Sequence, residues 1–171
     1  FIVDPPAGLS AQAMILYVES TAAIKNLTEA GAVYWPRVKV LNPNKSVFGS
    51  SDTIVVPPSG HIAGMYARTD SKRVGGIYDP PGGVERGVLP GVVGFENDQV
   101  LAEAVRDLLA PMLINPITRL RGQPIACDDV LTLKSGGAFP TIAERRGVSY
   151  IERAIKDGIQ FARLRNNDEA L

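Results

Sequence analysis

The sequence predicts an α/β fold, in the α+β sense of a mixed β-sheet flanked by helices, and three observations predict it. Short runs of β-branched residues end on proline or Asn-Pro punctuation, as buried strands do. Between them lie segments whose apolar residues recur every three or four positions, the period of an amphipathic helix. The chain also opens with a strand, a tight turn, a covering helix and another strand, the βαβ rhythm of a largely parallel sheet.

Phe1 to Val3 reads as a strand running into Asp4-Pro5-Pro6-Ala7-Gly8, where two prolines fix the backbone and forbid ladder bonds. Ser10 is placed to cap a helix from about Ala11 to Leu27, with Ala11, Ile15, Val18 and Ala22 along one face and Gln12, Glu19 and Lys25 pointing away. Val38 and Val40, then Ile54 to Val56, are two short strands bracketed by Asn42-Pro43 and Pro57-Pro58. Ser59 opens the next helix, its hydroxyl placed to accept from the free N–H groups of the first turn, and Ile62, Met65, Tyr66 and Thr69 share one face.

The stretch from Lys72 to Gly94 is rich in glycine and proline and reads as a long surface loop, with Val88-Leu89 and Val92-Val93 forming one short strand interrupted at Pro90-Gly91. Asp98 precedes Leu101, Ala104, Val105 and Leu108, the apolar stripe of a core helix that Pro111 terminates. Gln123 to Leu133 reads as a strand returning antiparallel across a turn near Arg121-Gly122. Thr141 and Glu144 have the capping-box spacing. The helix that follows is expected to bury Val148, Ile151 and Ile155, to pair Glu152 with Lys156 and Arg153 with Asp157 on its wet side, and to end on a left-handed Gly158 before a strand from Ile159 to Leu164.

A chain of 171 residues supports one domain with a sizeable core, so one domain over 1–171 is expected, with the loop at 72–94 inside it. Eighteen basic residues balance 18 acidic ones, which argues against a nucleic-acid partner, because displacing counterions from phosphates needs a positive excess. No apolar run approaches the roughly 18 residues that span a bilayer, so membrane insertion is not expected. Cys127 is the only cysteine, which rules out an internal disulfide and fits a reducing compartment. The chain starts on Phe1 and ends on Leu171 just after a polar turn, from which it is expected to be a piece of a longer protein.

The search for chemistry is nearly empty. Asp4 lies beyond the carboxyl end of the first strand, where open α/β sheets bind ligands, although an Asp before two prolines also serves to brace its turn. His61 is the only histidine and Cys127 the only thiol, so neither a zinc site nor a histidine relay can be built; a Cys127–His61 nucleophile pair is the arrangement left, against the simpler reading of Cys127 as a small buried thiol. Gly147-Val148-Ser149-Tyr150-Ile151 fails the serine elbow at its second glycine, and Gly82-Gly83-Val84-Glu85-Arg86-Gly87 lacks the spacing of a phosphate loop. Arg145-Arg146 at a helix start offers an anion site, with salt bridging to acidic neighbours as the simpler use. No catalytic, cofactor-binding or metal-ligating residue is therefore expected, and no cofactor.

Two ordered blocks resemble a known family. The run Tyr34-Trp35-Pro36-Arg37-Val38-Lys39-Val40, followed by Val56-Pro57-Pro58-Ser59-Gly60-His61-Ile62-Ala63-Gly64-Met65-Tyr66-Ala67-Arg68-Thr69-Asp70, resembles the core of contractile-tail sheath proteins. So do Ala143-Glu144-Arg145-Arg146-Gly147-Val148-Ser149-Tyr150-Ile151-Glu152-Arg153-Ala154-Ile155 and the closing Asn167-Asp168-Glu169, while Ile114-Asn115-Pro116-Ile117-Thr118-Arg119-Leu120 resembles the Ile-Asn-x-Ile strand entry of that family, which implies a strand from Ile114 to Leu120. The chain departs from the family at Asp79-Pro80-Pro81-Gly82-Gly83, an approximate match to a Lys-Ala-Pro-Ala-Gly-like segment. It departs again at Cys127-Asp128-Asp129-Val130-Leu131-Thr132-Leu133, which replaces a Trp-Gly-Ala-Arg-Thr-Leu-like run. In the family pattern the strand before the last helix would reach Ile142, an alternative to the capping box.

The resemblance implies a non-enzymatic structural subunit that forms stacked six-fold rings around the tail tube, exchanges terminal arms with its neighbours, and shortens irreversibly to drive the tube through an envelope. It implies partners that are other sheath subunits, the tube protein, and baseplate and tail-terminator proteins. It also implies a place in the virion after assembly in the bacterial cytoplasm. Two other readings compete. One is a small α/β hydrolase or transferase using Asp4, His61 or the loop at Asp79, which demands a deep pocket uniting them with a perturbed carboxylate. The other is a tail or baseplate binding module that forms no sheath.

Overall fold

In a computed structural model of the chain, which describes residues 1–47, 49–71, 76–98, 100–119 and 122–162, all four residues of Ala32–Trp35 are buried. This strand, β2, sits second in a four-stranded sheet of order β1-β2-β6-β7, formed with β1 (Ile2–Val3), β6 (Ile114–Arg119) and β7 (Ile125–Cys127). β1 and β6 run parallel to β2, with Val3 opposite Val33 and Val33 opposite Ile114, and β7 returns antiparallel with Cys127 opposite Ile117. Alternation then sends Ala32 and Tyr34 to one face of β2 and Val33 and Trp35 to the other. Both faces are covered, which is why β2 is apolar at every position.

On the Val33–Trp35 face lie α1 (Ala11–Leu16) and α4 (Glu103–Leu109), whose Met14 and Leu109 cluster with Val18 and Leu101 from the adjoining segments and with Ile114 and Leu133. On the Tyr34 face lie α2 (Ser59–Asp70), the start of α5 (Ile142–Gly158) and a second sheet. That sheet has the order β4-β3-β5, from β3 (Val38–Leu41), β4 (Thr53–Val56) and β5 (Val92–Phe95), with Val38 opposite both Val56 and Phe95. The mixed α/β architecture and the parallel opening unit are those read from the sequence.

Several elements differ from expectation. The first helix does not reach Leu27: after Leu16 it widens into a π turn, Tyr17–Thr21, and Ala23 and Asn26 adopt left-handed φ values of 48° and 61°. The amides of Ile24 and Lys25 both close on the carbonyl of Val18, which turns Ile24 back onto the Met14–Val18 cluster. Within 72–94, residues 72–75 lie outside the described ones, and the rest is not loop throughout. It holds a 3-10 turn at Gly76–Tyr78, the short helix α3 (Gly83–Arg86) and β5, and it buries Leu89. Here Gly87 lets backbone pack on backbone, for a Cβ there would run into the carbonyl of Cys127, whose amide bonds to the Gly87 carbonyl at 2.9 Å.

The face of α4 is also shifted. Leu101 precedes the helix, Ala104 and Leu108 are exposed, and the buried line is Leu101, Val105, Leu109 at four-residue steps. Pro111 sits inside a 3-10 turn, Ala110–Met112, and the turn closes on Leu113 with φ 62°. β7 stops at Cys127, so the return strand is shorter than Gln123 to Leu133; Leu131 and Leu133 make only isolated bridges, to Thr141 and Thr28. Gly122, with φ 75°, supplies the turn, and Arg121 lies outside the described residues.

At α5 both halves of the capping box form between Thr141 and Glu144, while Thr141 also bridges Leu131 as a strand end would. Val148 is half-buried, but the rest of the reading of α5 fails. Ile151, Ile155 and Ile159 are 45%, 57% and 56% exposed, because only the first two turns of the helix lie on the sheet layer and bury Ile142, Ala143 and Gly147. Glu152 pairs with Arg145 at 3.3 Å instead of with Lys156, and no ion pair joins Arg153 to Asp157. Gly158 stays helical, the cap residue is Ile159 with φ −98°, and Gln160–Ala162 form a 3-10 turn where a strand was expected; Arg163 and Leu164 lie outside the described residues.

Candidate functional site

The residues singled out from the sequence are spread over the fold. Asp4 caps α2 across 55 residues of sequence: its Oδ1 accepts from the Ser59 amide at 3.1 Å and its Oδ2 from the Ser59 hydroxyl at 2.6 Å. The expected roles are thus exchanged, since Ser59 donates to a carboxylate and caps nothing itself, and Asp4 supplies the negative charge that a helix N-terminus favours. His61 is half-buried on the first turn of α2. Asp79 is paired with Arg86. Cys127 is buried in β7; burial pushes its thiol pKa up, with the nearby Asp129 adding to the rise, and its Sγ donates to the Asp129 carbonyl at 3.1 Å. A thiol so held is protonated and inert as a nucleophile.

One open groove of about 540 Å³ gathers other residues. It is lined by Phe1 and Ile2, by the segment Glu29–Ala32 with Thr132, by the first half of α5 and by the end of α2. Among the described residues β1 pairs with β2 on one side only. Apolar contacts come from Ile2, Ile77 and Ile142, and Arg145, Arg146, Ser149 and Arg153 project from α5. Asp4, His61, Asp79 and Cys127 do not line it.

The charges in the groove are largely used by their neighbours. Arg146 pairs with Asp70 and lies over the Tyr66 ring, 4.7 Å from its centroid; Arg145 pairs with Glu152 and lies 5.8 Å from the Phe139 centroid. The Tyr66 hydroxyl is hydrogen-bonded to that of Tyr34 in β2, and the rings meet edge to face with centroids 6.5 Å apart. Burial holds both phenols well above the ordinary tyrosine range, so neither is poised to lose a proton. The anion-site reading of Arg145-Arg146 thus gives way to ion pairing. Asp70 and the tyrosine pair were not singled out as site residues; only the shared face of Met65, Tyr66 and Thr69 pointed toward them. Among the described residues no group of three or more His, Cys, Asp or Glu is placed to hold a metal ion, and no helix is long and apolar enough to cross a membrane.

What the surface offers is shape and edge: an unpaired strand side, a groove with an apolar floor, and exposed aliphatic side chains on α5 and on the outer sheet at Leu41, Val55 and Val93.

No family model and no curated protein matches the chain. Solved structures do. A chain from the baseplate of the anti-feeding prophage, six-fold symmetrised, is 25% identical with a TM-score of 0.74, over 99% of this chain and 39% of that one. A chain from the helical sheath of the same particle in its contracted state is 26% identical with a TM-score of 0.67, over 98% and 39%. A chain from the contracted sheath complex of the extracellular contractile injection system PVC, 21% identical with a TM-score of 0.73 over 98% and 42%, shares the fold. The resemblance read from the sequence stands: this chain has the fold of the sheath proteins of contractile injection systems, and it spans about two fifths of the length of those chains.

Proposed function

We propose that residues 1–171 form a single core domain of a contractile-sheath subunit, whose work is mechanical. The observation that carries this reading is the similarity, over 98% of the chain, to a helical sheath in its contracted state. In the proposed role, copies of the whole protein associate as six-fold rings stacked helically around a tail tube. The surface repeats by rotation and translation, which gives an open helical assembly. Shortening then releases free energy held in the extended packing and drives the tube through a target envelope, each domain moving as a rigid body.

The free edge of β1 suits the exchange of terminal arms between neighbours, since an unpaired strand side accepts an extended segment through main-chain hydrogen bonds. The partners in this reading are the tube, baseplate and tail-terminator proteins, with no nucleic acid, and the particle is a phage tail or related injector assembled in a bacterial cytoplasm. No step of the cycle calls on a catalytic residue, a cofactor or a metal. The test is ultracentrifugation of the full-length protein expressed alone: the reading predicts a pelleting, many-subunit assembly, and a protein that stays in the supernatant as a monomer at all concentrations refutes it.

A further inference from the structure

The groove beside β1 carries more positive than negative side-chain charge although the chain as a whole is neutral: Arg145, Arg146 and Arg153 line it against Glu29 and Asp70. Both acids are engaged. Asp70 pairs with Arg146, and Oε1 of Glu29 accepts from the Ala138 amide at 2.9 Å. Two of the cations are not held so firmly. Among the described residues Arg153 meets no carboxylate, and Arg145 reaches only Glu152, at 3.3 Å, a side chain that is itself 58% exposed on the same helix. Arg145, Ser149 and Arg153 follow one another at four-residue steps, so they form one ridge along α5, with Arg153 about 12 Å beyond Arg145 at the helical rise. The lining beyond this ridge includes the apolar side chains of Ile2, Ile77 and Ile142.

We propose that this groove docks an extended acidic segment of a partner protein, lying along α5 with two carboxylates four residues apart on Arg145 and Arg153. Charge selects the acids, and spacing selects the conformation. Side chains on one side of an extended chain recur every ~6.7 Å, so positions i and i+4 stand about 13 Å apart, close to the separation of the two arginines, and position i+2 falls at Ser149. In a helix the same two positions lie only about 6 Å apart and cannot reach both. The intervening residues, i+1 and i+3, turn to the other side and meet the isoleucines when they are apolar. Each guanidinium presents a fork of N–H donors that matches a carboxylate, which is how arginine clusters recognise acidic motifs. This inference rests on the groove and is independent of the sheath reading.

Fluorescence anisotropy of a labelled, end-blocked peptide Asp-Leu-Ser-Leu-Asp titrated with the full-length protein tests it, and the assay requires no ring assembly. The amide twin Asn-Leu-Ser-Leu-Asn is expected to bind at least about tenfold more weakly, because the charge-assisted pairs are lost. Arg153→Glu should weaken the acidic peptide by more than about tenfold, and since Arg153 is exposed the fold should survive the change. Lys45→Glu, an equal change of charge at an exposed residue outside the groove, should leave the affinity within about twofold. No binding of the acidic peptide at millimolar concentration, equal binding of the two peptides, or equal losses from Arg153→Glu and Lys45→Glu would each overturn the proposal.

Discussion

Helices α2 and α5 carry the same kind of apolar stripe at three- and four-residue steps, and the molecule treats them oppositely. In α2, Ile62, Met65 and Thr69 are buried against the Tyr34 face of the sheet, and Thr69 returns its hydroxyl to the Met65 carbonyl at 3.0 Å. In α5, the equivalent residues Ile151 and Ile155 stand in the open. Periodicity states which side of a helix is apolar. Whether anything covers that side is decided by where the helix axis lies relative to the sheet, and α5 passes the sheet edge after two turns.

Removing buried atoms from the two stripes should separate them most. Ile62→Ala is expected to lower stability by about 3 kcal/mol, through lost transfer energy and the cavity left behind, and Ile155→Ala by less than about 0.5 kcal/mol. Urea denaturation of the two variants measures both, and similar losses would mean that α5 is packed as α2 is. A smaller effect falls on the helix ends. Asp4→Ala should cost about 1 kcal/mol by uncapping α2, with the Thr141–Glu144 box of α5 unaffected, and amide exchange in the first turn of each helix distinguishes them.

The smallest effect is electrostatic. Burial, with Asp128 next, raises the Asp129 carboxyl above its usual range, and Arg106, which pairs with Asp128, offsets part of the rise. A carboxyl raised in the folded state supports folding below its unfolded pKa and loses that contribution as pH rises through the folded value. Asp129→Asn should therefore raise the melting temperature slightly at pH 7, with the gain fading toward pH 3. A gain that grows on acidification would reverse the assignment.

Local signals carried much of the fold. The β-branched strands at Val38–Leu41 and Thr53–Val56 were placed by their proline and asparagine punctuation, and the parallel opening unit by the order strand, turn, helix, strand. The capping box was visible because its partners are three residues apart. The true cap of α2 was not, because Asp4 and Ser59 are distant in sequence and only the sheet brings them together. Two overlapping four-residue patterns in 101–109 fit a helix equally well, and contact with Ile114 selects Leu109 over Leu108. The strand read at Val92-Val93 was in place, but glycine content hid the burial of Leu89 and the strand's extension to Phe95, which depends on pairing with Val38. The groove was illegible for the same reason: Arg146 is flanked by like charge in sequence, and its partners Asp70 and Tyr66 come from another helix.

The most direct measurement of the central claim, that this domain acts by fitting against other chains, is electron microscopy of the purified full-length protein with averaging of end-on views. Hollow tubes with six-fold rotational symmetry are predicted. Discrete monomers or closed dimers that bind a small molecule in the groove beside β1 would contradict it.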